Sequence, residues 1–501
     1  MKLKTKTSAL SELARRTGPP PISWLMHLAL ARPKLISLAA GFTDNESLPV
    51  EETRETLAEI LRTRKTGQPA LQYGSTQGDP VLRQLTANYF QRLDGATGSS
   101  RVYSPERMII TSGSQQLLYM TTEALCDPGD IVIVEDPTYF VYLGILQSRG
   151  ATVRGVRMEN DGLELAHLEN ILESLKKGGG LRRVKALYLV SYFQNPTGIT
   201  TSFEKKIGAL KLLKKYERAA GHPIYLLEDA AYRELRFGRY SGKELKTRIK
   251  SESTPSPRPS GERVGERGFE FETSGLLSPA LGQSVFHRGF ARSSLGGGEG
   301  EENLALRLRC AGCDVQSALA VKGFSNRVIY AGTFSKPFAT GTRVGFGFLP
   351  EPVFAAVLRI KGNHDFGTSN LLQQLLARAL ASGRYQKHLA ELQERYARKA
   401  QTMLAALQEH FPAEVQWQEP EGGLYFWARL PRGMKSGTKS KLFQAVLAKD
   451  VLYVPGLLCY AEDSTRRKPD NEMRISFGSA SEGNICDGIK RLGGVLTKLL
   501  P

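Results

Sequence analysis

The sequence predicts an α/β protein, with a large domain on a mainly parallel sheet flanked by helices and a smaller α+β domain after it. Three observations carry that expectation. Short apolar, β-branched runs recur between Met108 and Tyr330, and helical patterns separate several of them, as in βα units. Beyond Leu349 a long amphipathic stretch replaces this rhythm. Shorter strand-like runs and a last helical pattern then close the chain.

Taken in order, Gly18-Pro-Pro-Pro breaks an N-terminal helical stretch, and the polar segment Ala40 to Pro49 leads into a helical pattern from about Val50. The expected strands are Met108-Ile-Ile-Thr, Ile131-Val-Ile-Val, Val184 to Val190, Ile224-Tyr-Leu-Leu and Val328-Ile-Tyr. Leu389, Leu392, Tyr396, Ala400, Met403 and Leu407 recur at three- and four-residue steps, which predicts a long helix with a core-facing stripe. Gly423-Leu-Tyr-Phe-Trp, Val451-Leu-Tyr-Val and Met473-Arg-Ile-Ser-Phe predict the strands of the smaller domain, and a final helix starts at about Glu482.

One segment departs from this pattern. From Ser241 to Glu302 there are 11 Gly, 10 Ser and 4 Pro in 62 residues with no sustained period, the composition of a long disordered loop. Ser256-Pro-Arg-Pro-Ser-Gly-Glu-Arg-Val-Gly-Glu-Arg-Gly within it resembles a translated intergenic repeat inserted in frame. The expected organisation is therefore an N-terminal arm (1–50), a large domain (51–240), an insertion (241–313), the large domain resumed (314–355) and a small domain (356–501).

The balance of 68 Lys+Arg against 50 Asp+Glu gives a net charge of +18. The basic residues are dispersed, with only a short run at Lys2, Lys4 and Lys6, so a nucleic-acid partner is not expected. Five scattered cysteines, no opening signal-type stretch and no apolar run near the ~20 residues of a membrane span predict a cytoplasmic protein with no membrane partner. Cys310 and Cys313 form a CxxC without the second ligand pair that a zinc site requires, and no metal is expected.

The chemistry is concentrated in Gly332-Thr-Phe-Ser-Lys-Pro-Phe-Ala-Thr-Gly-Thr-Arg-Val-Gly, which runs from a strand end into a loop. The amine of Lys336 can form a Schiff base with an aldehyde, and the hydroxyls of Thr333 and Ser335 with the guanidinium of Arg343 can hold a phosphate. Other strand ends offer complementary groups. Asp229 follows Ile224 to Leu227, where open parallel sheets place ligands, and a carboxylate there can keep a pyridine nitrogen protonated. Tyr232 lies three residues on, within reach of a ring's phenolic oxygen. Asn195, in Gln194-Asn-Pro-Thr-Gly, follows Val190. Ser114 and Gln115 open a helix after Thr111, so their amides can bind a phosphate. Tyr139, in Asp136-Pro-Thr-Tyr, can lie flat against a ring. Each string alone has a plainer reading as a turn, an N-cap or a core aromatic, and their weight comes from standing together at strand ends.

In this order the strings resemble the fold-type I pyridoxal 5'-phosphate enzymes, specifically class I/II aminotransferases of the kynurenine/2-aminoadipate aminotransferase type. The resemblance runs from Ile36-Ser-Leu-Ala-Ala-Gly to Met473-Arg-Ile-Ser-Phe, apart from the segment around Ser241 to Glu302. It implies a seven-stranded sheet, a Schiff-base lysine at Lys336 that also shuttles the reaction's proton, and Asp229 on the pyridinium nitrogen. It further implies Asn195 and Tyr232 on the phenolic oxygen, Tyr139 stacked on the ring, and phosphate held by Ser114, Gln115, Thr333, Ser335 and Arg343. Arg474 would grip the substrate α-carboxylate and Gly41 would lie over the substrate. Tyr73, in Leu71-Gln-Tyr-Gly-Ser-Thr-Gln-Gly, would reach the phosphate of a neighbouring subunit, which implies a homodimer.

The implied reaction moves an amino group from an L-α-amino acid to a 2-oxo acid such as 2-oxoglutarate by ping-pong half-reactions. The positive charge favours 2-aminoadipate or glutamate, with aromatic and branched-chain amino acids left open. The chain departs from the family in spacing: 107 residues separate Asp229 from Lys336 (336 − 229) where relatives have a few tens. Closure entropy grows by only about 0.6 kcal/mol per doubling of a loop, so the fold survives that insertion. Two other readings use the same lysine or fold. A ligand-sensing transcription regulator needs a DNA-binding domain, for which the roughly 35 residues before Ile36 are too few. A β-lyase or decarboxylase differs only in which bond at Cα is broken.

Overall fold

The computed structural model describes residues 9–98, 101–237 and 315–500. Lys2, Lys4, Lys6, the expected 241–313 insertion and the Cys310/Cys313 pair lie outside the described residues.

The N-terminal arm holds helices Glu12–Arg16 and Pro21–Ala31. The Gly-Pro-Pro-Pro string both separates them and starts the second. Pro21 occupies the first helical position, where its fixed φ suits the helix and its missing N–H costs no bond. Strand β1 (Ile36–Ser37) then pairs in parallel with Val451–Leu452, late in the chain.

The strands of the large sheet are β2 (Met108–Thr111), β3 (Ile131–Asp136), β4 (Thr152–Glu159), β5 (Gly162–Leu163), β6 (Val184–Val190), β7 (Tyr225–Asp229), β8 (Val328–Thr333) and β9 (Gly345–Phe348). Their order is β2-β9-β8-β7-β6-β3-β4-β5. Strands β8, β7, β6, β3 and β4 are mutually parallel, and β9 runs antiparallel between β2 and β8. The two-residue β5 adds an eighth strand, paired antiparallel with β4, to the seven expected. The central strands β3, β6, β7 and β8 are buried almost throughout, as expected of a sheet covered on both faces. Four of these strands end at Asp136, Val190, Asp229 and Thr333, along one edge of the sheet.

After β9 come helices Val353–His364 and Asn370–Ala381 and the 27-residue helix Arg384–His410, whose Leu389, Leu392, Tyr396, Ala400, Met403 and Leu407 are buried. Strands β10 (Gln416–Gln418), β11 (Tyr425–Arg429), β13 (Val454–Pro455) and β14 (Glu472–Ser476) form an antiparallel sheet in the order β10-β11-β14-β13. The expected single strand at Val451 to Val454 is two strands. Val451–Leu452, β12, pairs with β1 in parallel, and β13 turns to pair with β14. The last helix spans Glu482–Leu499.

The chain on either side of residues 238–314 is fixed by buried charge. Asp94 forms an ion pair with Arg233 and accepts the Ser317 amide at 2.7 Å, which ties both flanks to one carboxylate. Glu228 pairs with Lys206 at 3.0 Å and accepts the Ala318 amide at 2.8 Å. Beyond Arg233, the Phe237 amide donates to the Glu421 carbonyl at 3.0 Å.

Candidate active site

A cavity of about 230 Å³ lies at the C-terminal ends of the parallel strands and collects residues from separate parts of the chain. Of the thirteen residues picked out in the sequence, Gly41, Ser114, Gln115, Tyr139, Asn195, Asp229, Tyr232, Thr333, Ser335, Lys336, Arg343 and Arg474 line it. Tyr73 does not. It is 81% exposed and packs edge-on against Phe366, itself exposed, with ring centroids 5.5 Å apart.

Lys336 follows β8 by three residues, and its Nζ donates to the Gly41 carbonyl at 2.6 Å. Burial, followed by the nearby guanidinium groups of Arg474 and Arg343, pulls its ammonium down to about 8. About a tenth is then the free amine at pH 7, the form that attacks a carbonyl.

Asp229 ends β7 and is 4% exposed. Burial pushes its carboxyl up to about 6, against the opposing bonds from the Tyr188 hydroxyl at 2.9 Å and the Ala231 amide at 3.2 Å. Both of these donors are neutral. A cation brought to this carboxylate would therefore meet a desolvated negative charge that no described contact neutralises.

The opposite wall is a linked cluster. Arg474, 1% exposed on β14, donates from Nη1 to Asn195 Oδ1 at 2.7 Å and from Nη2 to the Ala39 carbonyl at 2.6 Å. The Asn195 amide donates to the Tyr232 hydroxyl at 3.3 Å. Asn195 thus bridges the substrate-side arginine and the ring-side tyrosine, a contact that the sequence did not suggest.

The third corner suits an anion. Helix Ser114–Leu125 presents its N-terminus there. Gly113 has φ 78°, and a Cβ on it would meet Arg343 Nη2 at 2.6 Å, so the guanidinium lies directly against this turn. Ser335 Oγ is buried with no hydrogen-bond partner among the described residues, as a hydroxyl waiting for an oxyanion would be. Thr333, by contrast, spends its hydroxyl on the loop itself, donating to the Val344 carbonyl at 3.2 Å and accepting the Ser335 amide at 3.1 Å.

An amine lowered in pKa, a buried carboxylate without a cation, a hydroxyl–amide pair and an anion cradle fit pyridoxal 5'-phosphate at its aldehyde, ring nitrogen, phenolic oxygen and phosphate respectively. Such a set at the strand ends of this sheet defines a fold-type I pyridoxal-phosphate enzyme. The chain belongs to the aminotransferase class I and II family, whose model matches residues 33–253 and 309–492. It is 32% identical over 460 residues to aromatic-amino-acid aminotransferase 1 of Thermococcus litoralis, covering 91% of this chain and 87% of that one. It is 28% identical to the 2-aminoadipate transaminase of Thermus thermophilus over 100% of this chain and 99% of the relative. A crystal structure of Pyrococcus horikoshii kynurenine aminotransferase superposes with a TM-score of 0.75 at 27% identity, covering 98% of each chain. The protein is a pyridoxal-phosphate-dependent transaminase.

Tyr188 and Tyr425 are among the residues of this site that were missed in the sequence. Tyr188, which holds Asp229, sits inside an apolar strand and reads as core. Tyr425 lines the cavity from β11 and also reads as core; the Gly422-Gly423 pair before it was the available signal of close approach. The arm residues Ile22 and Phe42 line the cavity as well.

Proposed function

We propose that the enzyme moves the amino group of an L-α-amino acid to a 2-oxo acid such as 2-oxoglutarate by two half-reactions in one cavity. The observation that carries this reading is the convergence of Lys336, Asp229 and Arg474 on that cavity. The bound cofactor supplies an electron sink for the electrons of a bond at the substrate Cα. The protein's residues do the rest. Arg474, held by Asn195 and Ala39, receives the α-carboxylate and thereby fixes the position of Cα. Lys336 Nζ would take the proton from the substrate Cα and deliver it to the cofactor carbon two atoms along. Asp229 would keep the ring nitrogen protonated, Asn195 and Tyr232 would bind the phenolic oxygen, and Tyr139 would cover the ring. Ser114, Gln115, Ser335 and Arg343 would hold the phosphate, with Thr333 shaping their loop.

The donor is an amino acid of the 2-aminoadipate, glutamate, aromatic or branched-chain type. The names of the relatives support the aromatic and 2-aminoadipate members of this range. Exposed Tyr73, outside the cavity of its own chain, supports a homodimer in which it completes the neighbouring site. The domain division given above is retained, and the break in the family match between residues 253 and 309 supports an insertion there. Among the described residues no helix is long and apolar enough to cross a membrane, in keeping with a cytoplasmic enzyme. The test is initial-rate kinetics over a donor panel at several 2-oxoglutarate concentrations. Parallel double-reciprocal lines with one donor class support the proposal, and intersecting lines or no 2-oxo acid product from any donor would refute it.

A further inference from the structure

Tyr425 lines the cavity, and nothing in the reaction just described uses it. It is 1% exposed on β11. In the β11–β14 ladder Tyr425 stands opposite Ser476 and Trp427 opposite Arg474, so Tyr425 and Arg474 are diagonal neighbours on one face. The Arg474 guanidinium lies 4.3 Å from the centroid of the Tyr425 ring. The Tyr425 hydroxyl lies 3.0 Å from the Tyr232 hydroxyl and 3.5 Å from Asn195 Nδ2. The two tyrosine rings meet edge to face at 5.7 Å. A Cβ on Gly41 would stand 2.5 Å from the Tyr425 oxygen, so the arm segment is also moulded to this hydroxyl.

We propose that Tyr425 is a positioning residue with two separable parts: its hydroxyl donates to Tyr232 so that the Tyr232 proton is aimed at the cofactor's phenolic oxygen, and its ring face fixes the plane of Arg474. The inference rests on the transaminase site proposed above. A phenol has one proton to donate. Between the two hydroxyls either oxygen could be the donor when they are taken alone. Once Tyr232 donates to an acceptor in the cavity, its own oxygen is left as an acceptor for the Tyr425 proton. The chain Tyr425 to Tyr232 to phenolic oxygen then polarises in one direction, and each bond strengthens the next. For Arg474, two donor nitrogens are anchored and Nε is buried without a partner among the described residues, so the aromatic faces are what remain to resist rotation of the group, Tyr425 at 4.3 Å being nearer than Phe140 at 5.6 Å.

The two parts call for two variants of the cofactor-loaded enzyme. Tyr425→Phe keeps the ring and removes the hydroxyl. Weaker stabilisation of the phenolate should move the pH midpoint of the cofactor's visible absorbance change upward, by about half a unit to one unit for one hydrogen bond. KM for the amino donor should stay within twofold. Tyr425→Leu removes the face as well, and should raise KM for the donor about tenfold in addition to the midpoint shift. Circular dichroism of both variants should match the wild type. A wild-type midpoint in Tyr425→Phe would overturn the hydroxyl relay, and an unchanged KM in Tyr425→Leu would overturn the role of the ring. A wild type that forms no visible band with pyridoxal phosphate would instead remove the transaminase reading, and this proposal with it.

Discussion

Gly345 offers a sharp test of how the anion cradle is built. It opens β9, next to Thr333 on one side and Thr111 on the other. A Cβ built there would stand 2.4 Å from the Ser114 amide nitrogen and 2.5 Å from the Gly113 carbonyl carbon, whereas ordinary contacts begin at 3.4 Å. In Gly345→Ala the two backbones must therefore separate by about 1 Å (3.4 − 2.4), and backbone cannot rotate away as a side chain can. Overpacking of this kind costs about 1–3 kcal/mol. The displaced atoms include the Ser114 amide nitrogen, one of the groups proposed to hold the phosphate. If the strain is relieved there, at about 1.4 kcal/mol per tenfold, pyridoxal phosphate binds roughly 5- to 150-fold more weakly. The assay is a Kd for the cofactor, from titration of the cofactor-depleted protein followed by absorbance. Gly341→Ala, with nothing within 4 Å of its Cβ in the same loop, is the control and should bind as the wild type does. A folded Gly345→Ala protein with a Kd within twofold of wild type would refute this account of the cradle.

Further outcomes follow from buried groups around the site. Gly41→Ala pushes a methyl into the Tyr425 hydroxyl and should raise KM several-fold, and the double variant with Tyr425→Phe should recover part of the loss. Additive effects in that cycle would contradict the contact. Glu135, on β3, accepts Val190 N at 2.8 Å and Gln194 Nε2 at 2.6 Å, and burial pushes its carboxyl up to about 7 despite those bonds. Its pKa is higher folded than unfolded, so between about pH 4.5 and 7 the native state holds a proton that the unfolded chain releases, and stability is lost as pH rises through 7. Glu135→Gln lacks this dependence. Thermal melts should show the wild type losing ground to the variant by at most about 3 kcal/mol from pH 4.5 to 7.5, and a gap constant with pH would contradict the shift. Tyr188→Phe removes a donor to Asp229 and should move the acidic limb of the kcat/KM profile to higher pH, with an unmoved limb as the contrary result.

Much of the fold was legible because strands buried on both faces are continuous apolar runs, and Met108–Thr111 and Val184–Val190 fall where those runs do. Thr152–Glu159 was not, because its polar and apolar residues mix on a half-exposed strand near the sheet's edge. Gly345–Phe348 escaped because half of its residues are glycines, which propensity counts against a strand; the close approach to Gly113 and Ser114 explains Gly345. Site residues at strand ends could be read from position and residue type. Tyr188 and Tyr425 could not, since an aromatic within an apolar run has the same signature whether it fills core or turns a hydroxyl to the cavity. Tyr73 was legible only through family resemblance, and a single chain leaves it exposed.

The most direct measurement is the absorbance spectrum of the purified, cofactor-supplied protein and of Lys336→Ala, before and after addition of single amino acids. The account predicts a visible band in the wild type that Lys336→Ala lacks, that collapses with at least one amino acid, and that returns on adding 2-oxoglutarate. A wild type without that band, or with a band that no amino acid changes, would contradict the claim that Lys336, Asp229 and Arg474 together form a transaminase site.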